Sequence, residues 1–265
     1  MKKLTIFLLV LISVTFSARA SYISLKTTVT SKVENDILKV SILAKNEGDE
    51  AAHGVQAEIR VGEKKSLLKK AERLGINQFY RAQASFKLDH KNPGQYPLIV
   101  TIYYADANQY PFSALTCQTF SYRAEALSLD ILGQMGSATF WEAGKIKLAL
   151  KNMGKTEMSV STYLVVPREL TVEEACQIRI PAMSDYHLSF GVKNFSALSG
   201  STYQVFAISE YEKDGFHLTS ITPGFIRIAQ SRTVLGIDYI YLAGILAVLV
   251  VVFAVIQLRR SVPKK

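Results

Sequence analysis

The stretch that decides the fold is Lys145-Ile146-Lys147-Leu148-Ala149-Leu150-Lys151. Apolar and polar residues alternate along it, which is typical of a strand that buries one face of a sheet. Similar stretches recur at 22–30, 36–45, 54–61, 78–88, 96–105 and 112–122, separated by turn signals such as Asn46-Glu47-Gly48. About seven short strands in about 100 residues are typical of an immunoglobulin-like sandwich. The pattern therefore predicts an all-β ectodomain.

A constant shift of 106 residues relates the two halves of this β region. The matched pairs include Val40 with Ile146, Ile42 with Leu148, Asn46 with Asn152, Gly48 with Gly154, and Tyr80 with Tyr186. A repeat of this length is the size of an independent domain. The sequence therefore predicts two immunoglobulin-like β-sandwich domains in tandem, at residues 21–124 and 125–232.

One segment of the first copy, Glu63 to Gly75, has apolar residues at near-helical spacing and a glycine at its end. The matching segment, Glu169 to Pro181, is richer in β-branched residues, which favour strands. We therefore expect a loop or an edge strand here, with at most one helical turn.

The N-terminus predicts a cleaved signal peptide over residues 1–20. Lys2 and Lys3 precede thirteen uncharged, mostly apolar residues, a run too short to span a bilayer. Ala18-Arg19-Ala20 then supplies small residues at the cleavage site before Ser21.

The C-terminus predicts one transmembrane α-helix. Tyr239 to Leu258 is a run of twenty uncharged residues, which as a helix covers about 30 Å, the thickness of the hydrocarbon core. Four basic residues follow it, namely Arg259, Arg260, Lys264 and Lys265. By the positive-inside rule they anchor a cytoplasmic tail at 259–265, after a juxtamembrane and transmembrane segment at 233–258. We expect a single-pass protein of the cell (inner) membrane with a periplasmic or extracellular ectodomain.

The net charge of +9 does not indicate a nucleic-acid partner. The signal peptide and the tail hold seven of the 31 basic residues, which leaves 24 against 22 acidic residues in the ectodomain. A nearly neutral ectodomain lacks the electrostatic grip on phosphates that nucleic-acid binding needs.

The turn residues of both copies carry a resemblance. Residues 38–48, Leu-Lys-Val-Ser-Ile-Leu-Ala-Lys-Asn-Glu-Gly, end a strand in Asn-x-Gly, and Pro-Gly-Gln-Tyr at 93–96 opens a later strand. The second copy keeps Asn152-Met153-Gly154 and Gly200-Ser201-Thr202-Tyr203, with one extra residue before the tyrosine. Most of both copies resembles the bacterial and archaeal immunoglobulin-like modules typified by the CARDB and NEW3 domains. The resemblance implies spacers, adhesive units or accessory domains of envelope proteins.

Structural roles account for several of these residues. We expect Asn46 and Gly48 to adopt the left-handed backbone of a tight turn. We expect Tyr96 and Tyr203 to hydrogen-bond back to the chain, as a tyrosine corner does. For Phe140-Trp141, at the start of the second copy, two interpretations remain open: a wedge between the domains and a tryptophan in a core.

No pattern of catalytic residues occurs. The chain has no Gly-x-Ser-x-Gly elbow and no phosphate-binding glycine loop, and its histidines lack metal-ligand spacing. Those histidines, His53, His90, His187 and His217, lie near predicted turns or strand ends, so we expect them at the surface. Cys117 and Cys176 fall in different copies, so neither copy has an internal disulfide. We expect no enzymatic activity, no cofactor and no metal.

Two groups of residues are candidates for binding. Tyr103, Tyr104, Tyr110 and Phe112 surround a turn and are candidates to stack on sugars or to fill a partner's pocket, although half of them are expected to point into the core. Lys64, Lys65, Lys69, Lys70 and Arg73 form a basic cluster that suits an anionic surface, or simply a solvated edge.

These features predict a membrane-anchored adaptor of the cell envelope that presents two immunoglobulin-like domains to a protein partner. One alternative is a module that binds envelope polysaccharide, which the turn aromatics favour. Another is an accessory subunit of a membrane transporter or assembly complex, with the helix as the contact.

Overall fold

The computed structural model describes residues 22–125, 127–172, 175–229, 233–234 and 237–261. Within the C-terminal helix it describes side chains from Ile240 to Phe253. The predicted signal peptide, Lys264 and Lys265 lie outside the described residues, as do the side chains of Arg259 and Arg260. Apart from that helix, the described chain is built from strands, which confirms the all-β prediction.

The strands are β1 Leu25–Glu34, β2 Ile37–Asn46, β3 Ala52–Val61, β4 Lys64–Leu67, β5 Ala71–Leu74, β6 Phe79–Lys87, β7 Gly94–Ala105, β8 Pro111–Tyr122, β9 Ile131–Met135, β10 Ser137–Phe140, β11 Ala143–Asn152, β12 Met158–Val165, β13 Leu170–Val172, β14 Cys176–Ile180, β15 Asp185–Asn194, β16 Thr202–Lys213, β17 Phe216–Ile228, β18 Thr233–Val234 and β19 Ile237–Asp238. The helix, α1, is Tyr239–Ser261. The strands predicted in the first copy are confirmed, and the segment from Glu63 to Gly75 forms the short strands β4 and β5, as expected for an edge.

The chain divides into two compact units. The first unit extends to Leu129 and also includes Glu210–Ile221, and the second comprises Asp130–Ser209 and the chain from Thr222 onward. The predicted boundary between residues 124 and 125 stays a prediction, and residues 210–221 were not expected to group with the first copy.

The first unit encloses one apolar core between two sheets. One sheet has the order β1-β2-β6 and is antiparallel throughout. In the other, β7 pairs with β8 and β3, and β3 also pairs with β4 and β5. Leu38 and Phe86 of the first sheet and Ile59 and Leu98 of the second belong to one buried cluster. Because apolar side chains alternate along each strand, each sheet turns one face to this core.

The second unit has the same kind of core between two sheets. One has the order β13-β15-β11-β9, and the other includes β14, β12, β16 and β17, with β10 parallel to β17. Ile146 and Leu148 of β11 are buried, as are Ile180 of β14 and Val205 of β16. The lysines that alternate with Ile146 and Leu148 are exposed, as the opening stretch of sequence predicts.

The shift of 106 residues recurs in the hydrogen bonds that follow β2 and β11. The side-chain amide of Asn46 donates to the carbonyls of Glu50 at 2.7 Å and Leu74 at 3.2 Å. The amide of Asn152 donates to Thr156 at 2.8 Å and Ile180 at 3.0 Å, the positions 106 residues further on. Each side-chain oxygen accepts from the glycine two residues later, at 3.0 Å and 2.8 Å. The two copies therefore close this loop with one bonding scheme.

The expected left-handed conformation at Asn46 and Gly48 is wrong, because neither residue has a positive φ. Asn46 is fully buried and serves as a hydrogen-bonding anchor. A Cβ on Gly48 would lie 2.3 Å from the carbonyl oxygen of Tyr22, so the glycine is required by close backbone approach.

The predicted tyrosine contacts are confirmed. The Tyr96 hydroxyl donates to the carbonyl of Asn92 at 2.7 Å. The Tyr203 hydroxyl accepts from the backbone N–H of Leu198 at 3.4 Å. Each tyrosine therefore ties the start of its strand to the preceding loop.

A helix forms where the sequence predicts one, from Tyr239 to Ser261. Searched over the residues that the structure describes, the protein has no helix that is both long enough and apolar enough to cross a membrane.

Candidate functional site

An open groove of about 710 Å³ lies in the first unit between β5 and the start of β6. Its lining includes the cations Lys69, Lys70, Arg73 and Arg81 and the ring of Phe79, and we call it the basic groove. The strand β5 and the turn before it supply three of the cations, and β6 supplies Arg81. The groove therefore collects charge from segments that are separate in sequence.

A buried tyrosine holds the two walls of the basic groove together. The Tyr80 hydroxyl accepts from the N–H of Ala57 at 3.2 Å and donates to the carbonyl of Lys69 at 2.8 Å. Burial raises the pKa of Tyr80, so the hydroxyl remains a donor at neutral pH. Next to it, Phe79 is 44% exposed, and the Arg81 guanidinium carbon lies 4.9 Å from its ring centroid. This is a cation–π geometry, which holds the arginine over the ring.

The four cations of the basic groove form no ion pair with any residue that the structure describes. The predicted basic cluster is split, because its other two members lie elsewhere. Lys64 forms an ion pair with Asp89 at 2.9 Å and donates to the carbonyl of Lys87, and Lys65 lies on the hairpin strand β4. Binding of an anion by these residues stays a prediction.

The strand beside the basic groove, β6, is an edge strand. In the second unit the matching strand β15 pairs with β11 on one side and, at Val192, Lys193 and Asn194 only, with β13 on the other. In the first unit β4, the counterpart of β13, pairs with β3 instead. Within the described chain, β6 therefore has β2 on one side and no strand on the other. An edge of this kind presents a row of unpaired N–H and C=O groups.

A difference at one turn explains why the ends of β6 and β15 are paired differently. Gly62, with φ of +54°, follows β3 directly and lets the chain fold back on β3 as a two-residue hairpin. The second copy has Pro167-Arg168 in place of Val61-Gly62. Proline has no N–H to continue a ladder, so β12 ends at Val165 and the chain crosses to pair with β15.

The predicted aromatic group does not present one flat face. Tyr104 and Phe112 stack with ring centroids 5.6 Å apart, and Tyr110 lies tilted 5.3 Å from Phe112. Tyr104 packs against the core, whereas Tyr103, its neighbour on β7, lies on the opposite face of the sheet. All four are partly buried. Their role as a partner or glycan contact stays a prediction.

The first unit contains a stack of rings that the sequence did not indicate. The rings of His90 and His217 lie on either side of Tyr96, with centroids 3.8 Å and 4.2 Å from its ring. The His217 nitrogens lie 2.7 Å from a Glu212 oxygen and 3.0 Å from a Glu210 oxygen. The predicted surface position is therefore wrong for His217, whose side chain is 14% exposed, and for His90, which is half-buried.

The electrostatics of this stack differ at its two histidines. Burial alone would lower the pKa of His217, but hydrogen bonds to Glu210 and Glu212 outweigh it, and the pKa is raised. At His90, burial lowers the pKa, and the buried Nε2 has no hydrogen-bond partner among the described residues. The stack thus favours a charged His217 and a neutral His90.

The described residues offer few other groups for metal binding or covalent chemistry. They contain no group of three or more His, Cys, Asp or Glu side chains that can hold a metal ion. Cys117 and Cys176 are both free thiols. Burial raises the pKa of Cys117 to about 12, which leaves the thiol protonated and unreactive at neutral pH.

The sequence alone did not indicate Phe79 and Arg81 as part of the basic groove. They sit on an ordinary alternating strand, and only strand pairing places them beside Arg73. The available signal was the exposed aromatic ring of Phe79, two residues before the cation Arg81 on the same face of β6.

Comparisons with known proteins do not assign a family. No family model matches the chain, and no curated protein matches it. Solved structures that match include red sea bream transglutaminase, at 12% identity over 80% of this chain and 32% of that one, with a TM-score of 0.28. Alpha-2-macroglobulin of E. coli matches at 9% identity over 78% of this chain and 17% of that one, with a TM-score of 0.34.

A protein of unknown function from Porphyromonas gingivalis W83 matches at 12% identity over 77% of this chain and 99% of that one, with a TM-score of 0.29. The chain spans about a third or less of the transglutaminase and the macroglobulin. At these identities and TM-scores the matches carry no argument about function.

Proposed function

We propose that this protein is a membrane-anchored interaction protein of a cell envelope, which binds a partner protein through its first unit. The observation that carries the proposal is the open outer edge of β6 beside the basic groove. A second polypeptide matches the repeat of N–H and C=O groups along such an edge, which a lipid or a polysaccharide does not. The edge strand therefore favours a protein partner.

The charge of the basic groove indicates which polypeptide fits. A strand added to β6 would run past Arg73 and Arg81, and neither guanidinium is neutralised by a described carboxylate. Arginine pairs with carboxylates through two parallel hydrogen bonds. We therefore propose that the partner segment is extended and acidic, with an apolar side chain for the exposed ring of Phe79.

The helix α1 supports the membrane anchor in this proposal. Its residues from Tyr239 to Leu258 are uncharged, and its exposed large side chains between Ile240 and Phe253 are 45–68% accessible. Apolar surface gains about 25 cal/mol for each Å² removed from water, and hydrocarbon covers a helix on every side at once. On this proposal α1 crosses the inner membrane, tandem immunoglobulin-like domains lie outside the cytoplasm, and the basic tail from Arg259 lies inside.

Photo-crosslinking from β6 in intact membranes tests the partner site. We expect a photoreactive residue that replaces Phe79 in the full chain to capture one envelope protein. The matched control replaces Asp185, the equivalent exposed residue of β15, which has the same unpaired outer side but no basic groove, and should capture none. Equal capture from both positions would argue against the basic groove as the site, and capture of polysaccharide would favour the alternative of a glycan-binding module.

Charge reversal provides the second arm of this test. Arg73→Glu together with Arg81→Glu should reduce the crosslinked product by about tenfold, because two carboxylates would then face an acidic segment. Lys145→Glu with Lys147→Glu, two exposed lysines of the second unit, is the matched control and should leave the product unchanged. Undiminished capture by the arginine variant would contradict the proposed site.

A further inference from the structure

Three exposed apolar side chains lie at one end of the second unit. Trp141 is 40% exposed, Phe195 is 77% exposed and Leu198 is 39% exposed. Trp141 lies in the turn between β10 and β11, and the other two lie in the loop between β15 and β16. The interpretation of Trp141 as a core residue is therefore wrong, since the core position is taken by Phe140, which is buried.

Hydrogen bonds hold these loops together at the point where β17 ends. The side-chain amide of Asn194 donates to the carbonyl of Trp141 at 3.0 Å, and its backbone N–H donates to Glu142 at 2.7 Å. The N–H of Ala229 donates to the carbonyl of Phe140 at 2.9 Å, and that of Gly200 donates to Ile228 at 2.9 Å. Both apolar loops therefore surround the exit of the chain from the second unit.

The exit lies close to the start of α1. Four residue steps lead from Ala229 to Thr233, and they span at most about 14 Å. Thr233 then pairs with Asp238, so the chain between them adds only about 5 Å, and α1 begins at the next residue. Ala229, which these loops surround, is therefore at most about 25 Å from the first residue of the helix.

The first copy has different residues at the matching positions of these loops. The residues 106 positions earlier are Asn35, Asp89 and Asn92, where the second copy has Trp141, Phe195 and Leu198. All three positions are polar in the first copy and apolar in the copy that precedes α1 in sequence. In the first copy Asp89 forms an ion pair with Lys64 and Asn92 donates to Glu212 at 2.9 Å, whereas the second copy exposes apolar side chains at the matching positions.

We propose that Trp141, Phe195 and Leu198 contact the interfacial region of the lipid bilayer and hold the second unit against the membrane. This rests on the proposed anchor, because α1 must lie in the membrane to bring the loops to it. Tryptophan favours the headgroup region, where its ring is buried and its N–H is still hydrated, and Phe and Leu gain from burial just below. The contact limits the tilt of the second unit on its anchor.

Trp141 is the only tryptophan of the chain, so its fluorescence reports on this surface alone. The full chain is reconstituted into phosphatidylcholine vesicles, with and without lipids brominated near the headgroup. We expect a blue-shifted emission that brominated lipid quenches and that aqueous iodide does not reach. Emission of a water-exposed indole, quenched by iodide and indifferent to brominated lipid, would overturn the proposal. Shielding that depends on protein concentration, without bromine quenching, would indicate contact with a second copy and would also overturn it.

Variants test whether the apolar side chains themselves bring Trp141 into contact with lipid. Phe195→Asp with Leu198→Asn, which installs the residues of the first copy, should reduce bromine quenching of Trp141 by about threefold. The control Met153→Ser changes an exposed apolar residue at the other end of β11 and should leave quenching unchanged. Quenching that survives the double variant would contradict the proposed surface.

Flotation of the same samples after a carbonate wash distinguishes the two proposals. A protein that does not float with the vesicles would show that the anchor is wrong, and this inference would fall with it. A protein that floats while Trp141 remains open to iodide would show that only the contact is wrong.

Discussion

At the scale of single residues, buried polar side chains explain most of what the sequence left ambiguous. His217 illustrates the point, because it reads as a surface residue near a turn and instead lies between two carboxylates and against the ring of Tyr96. Its environment comes from Glu210 and Glu212 on β16 and from Tyr96 on β7, which are far apart along the chain. No local pattern around residue 217 carries this information.

The raised pKa of His217 predicts a pH dependence of stability. A histidine whose folded-state pKa exceeds its ordinary value of about 6.5 stabilises the fold fully below that pH, and the contribution is lost as the pH rises through the folded-state pKa. We expect His217→Gln to lower the free energy of unfolding by about 1–2 kcal/mol at pH of about 6 and by much less above pH of about 8. Urea unfolding across this range measures the difference.

The matched control for this prediction is His187→Gln, because His187 is exposed. His90 acts in the opposite sense, since burial lowers its pKa and its protonation at low pH opposes folding. His90 is present in both wild type and His217→Gln, so its contribution cancels when their free energies of unfolding are compared at the same pH. Unfolding curves that stay equally far apart at every pH would contradict the assignment.

At the scale of elements, the loops after β2 and β11 are stabilised by one buried asparagine each. Asn46→Ala would leave the carbonyls of Glu50 and Leu74 and the N–H of Gly48 without their partner. Unsatisfied buried groups cost about 1–3 kcal/mol each, so we expect a loss of about 3 kcal/mol, measured by chemical unfolding. Asn152→Ala should cost at least as much, because the same three bonds recur and its amide also donates to the carbonyl of Pro181 at 3.0 Å.

The exposed turn residue Asn108 supplies the control for both asparagine variants. Asn108→Ala should change the free energy of unfolding by no more than about 0.5 kcal/mol. If Asn46→Ala were equally mild, the shared hydrogen-bonding scheme would not be what holds these loops.

Turns and pairing partners, and not the β propensity of a segment, decide which strands of this protein are edges. The hairpin turn at Gly62 sends β4 to β3, and Pro167 in the second copy sends β13 to β15. That choice gives Val192, Lys193 and Asn194 of β15 a second partner that the matching end of β6 lacks. A strand pattern read from sequence indicates which face is buried and leaves open which neighbour is paired.

At the scale of the whole molecule, the units do not follow the repeat completely. Residues 210–221 group with the first unit, where His217 stacks on Tyr96 and the Thr219 hydroxyl donates to the carbonyl of Gln95 at 2.7 Å. We therefore expect a fragment of residues 21–124 to unfold at a temperature lower by roughly 10 °C than the first unit does within residues 21–229. Differential scanning calorimetry measures both.

A variant of the longer protein tests the cause of that difference. His217→Ala with Thr219→Ala removes the same contacts without truncation and should reproduce part of the lowered temperature. Equal unfolding temperatures for the fragment and the longer protein would mean that residues 210–221 add nothing to the first unit.

The sequence by itself determined the all-β class, the positions of the strands, the edge character of residues 63–75 and the hydrogen bonds of Tyr96 and Tyr203. These follow from side-chain alternation and turn chemistry, which act over a few neighbouring residues. The repeat is also visible in sequence, because equivalent buried positions demand similar residues.

Only the tertiary structure decided where those strands pair and what their pairing brings together. It placed Arg81 beside Arg73, left the outer edge of β6 open, buried His217 between carboxylates and collected Trp141, Phe195 and Leu198 at one end of the second unit. The physical reason is that these contacts join residues tens of positions apart. Their energies depend on distance in space, which the order of residues along the chain does not specify.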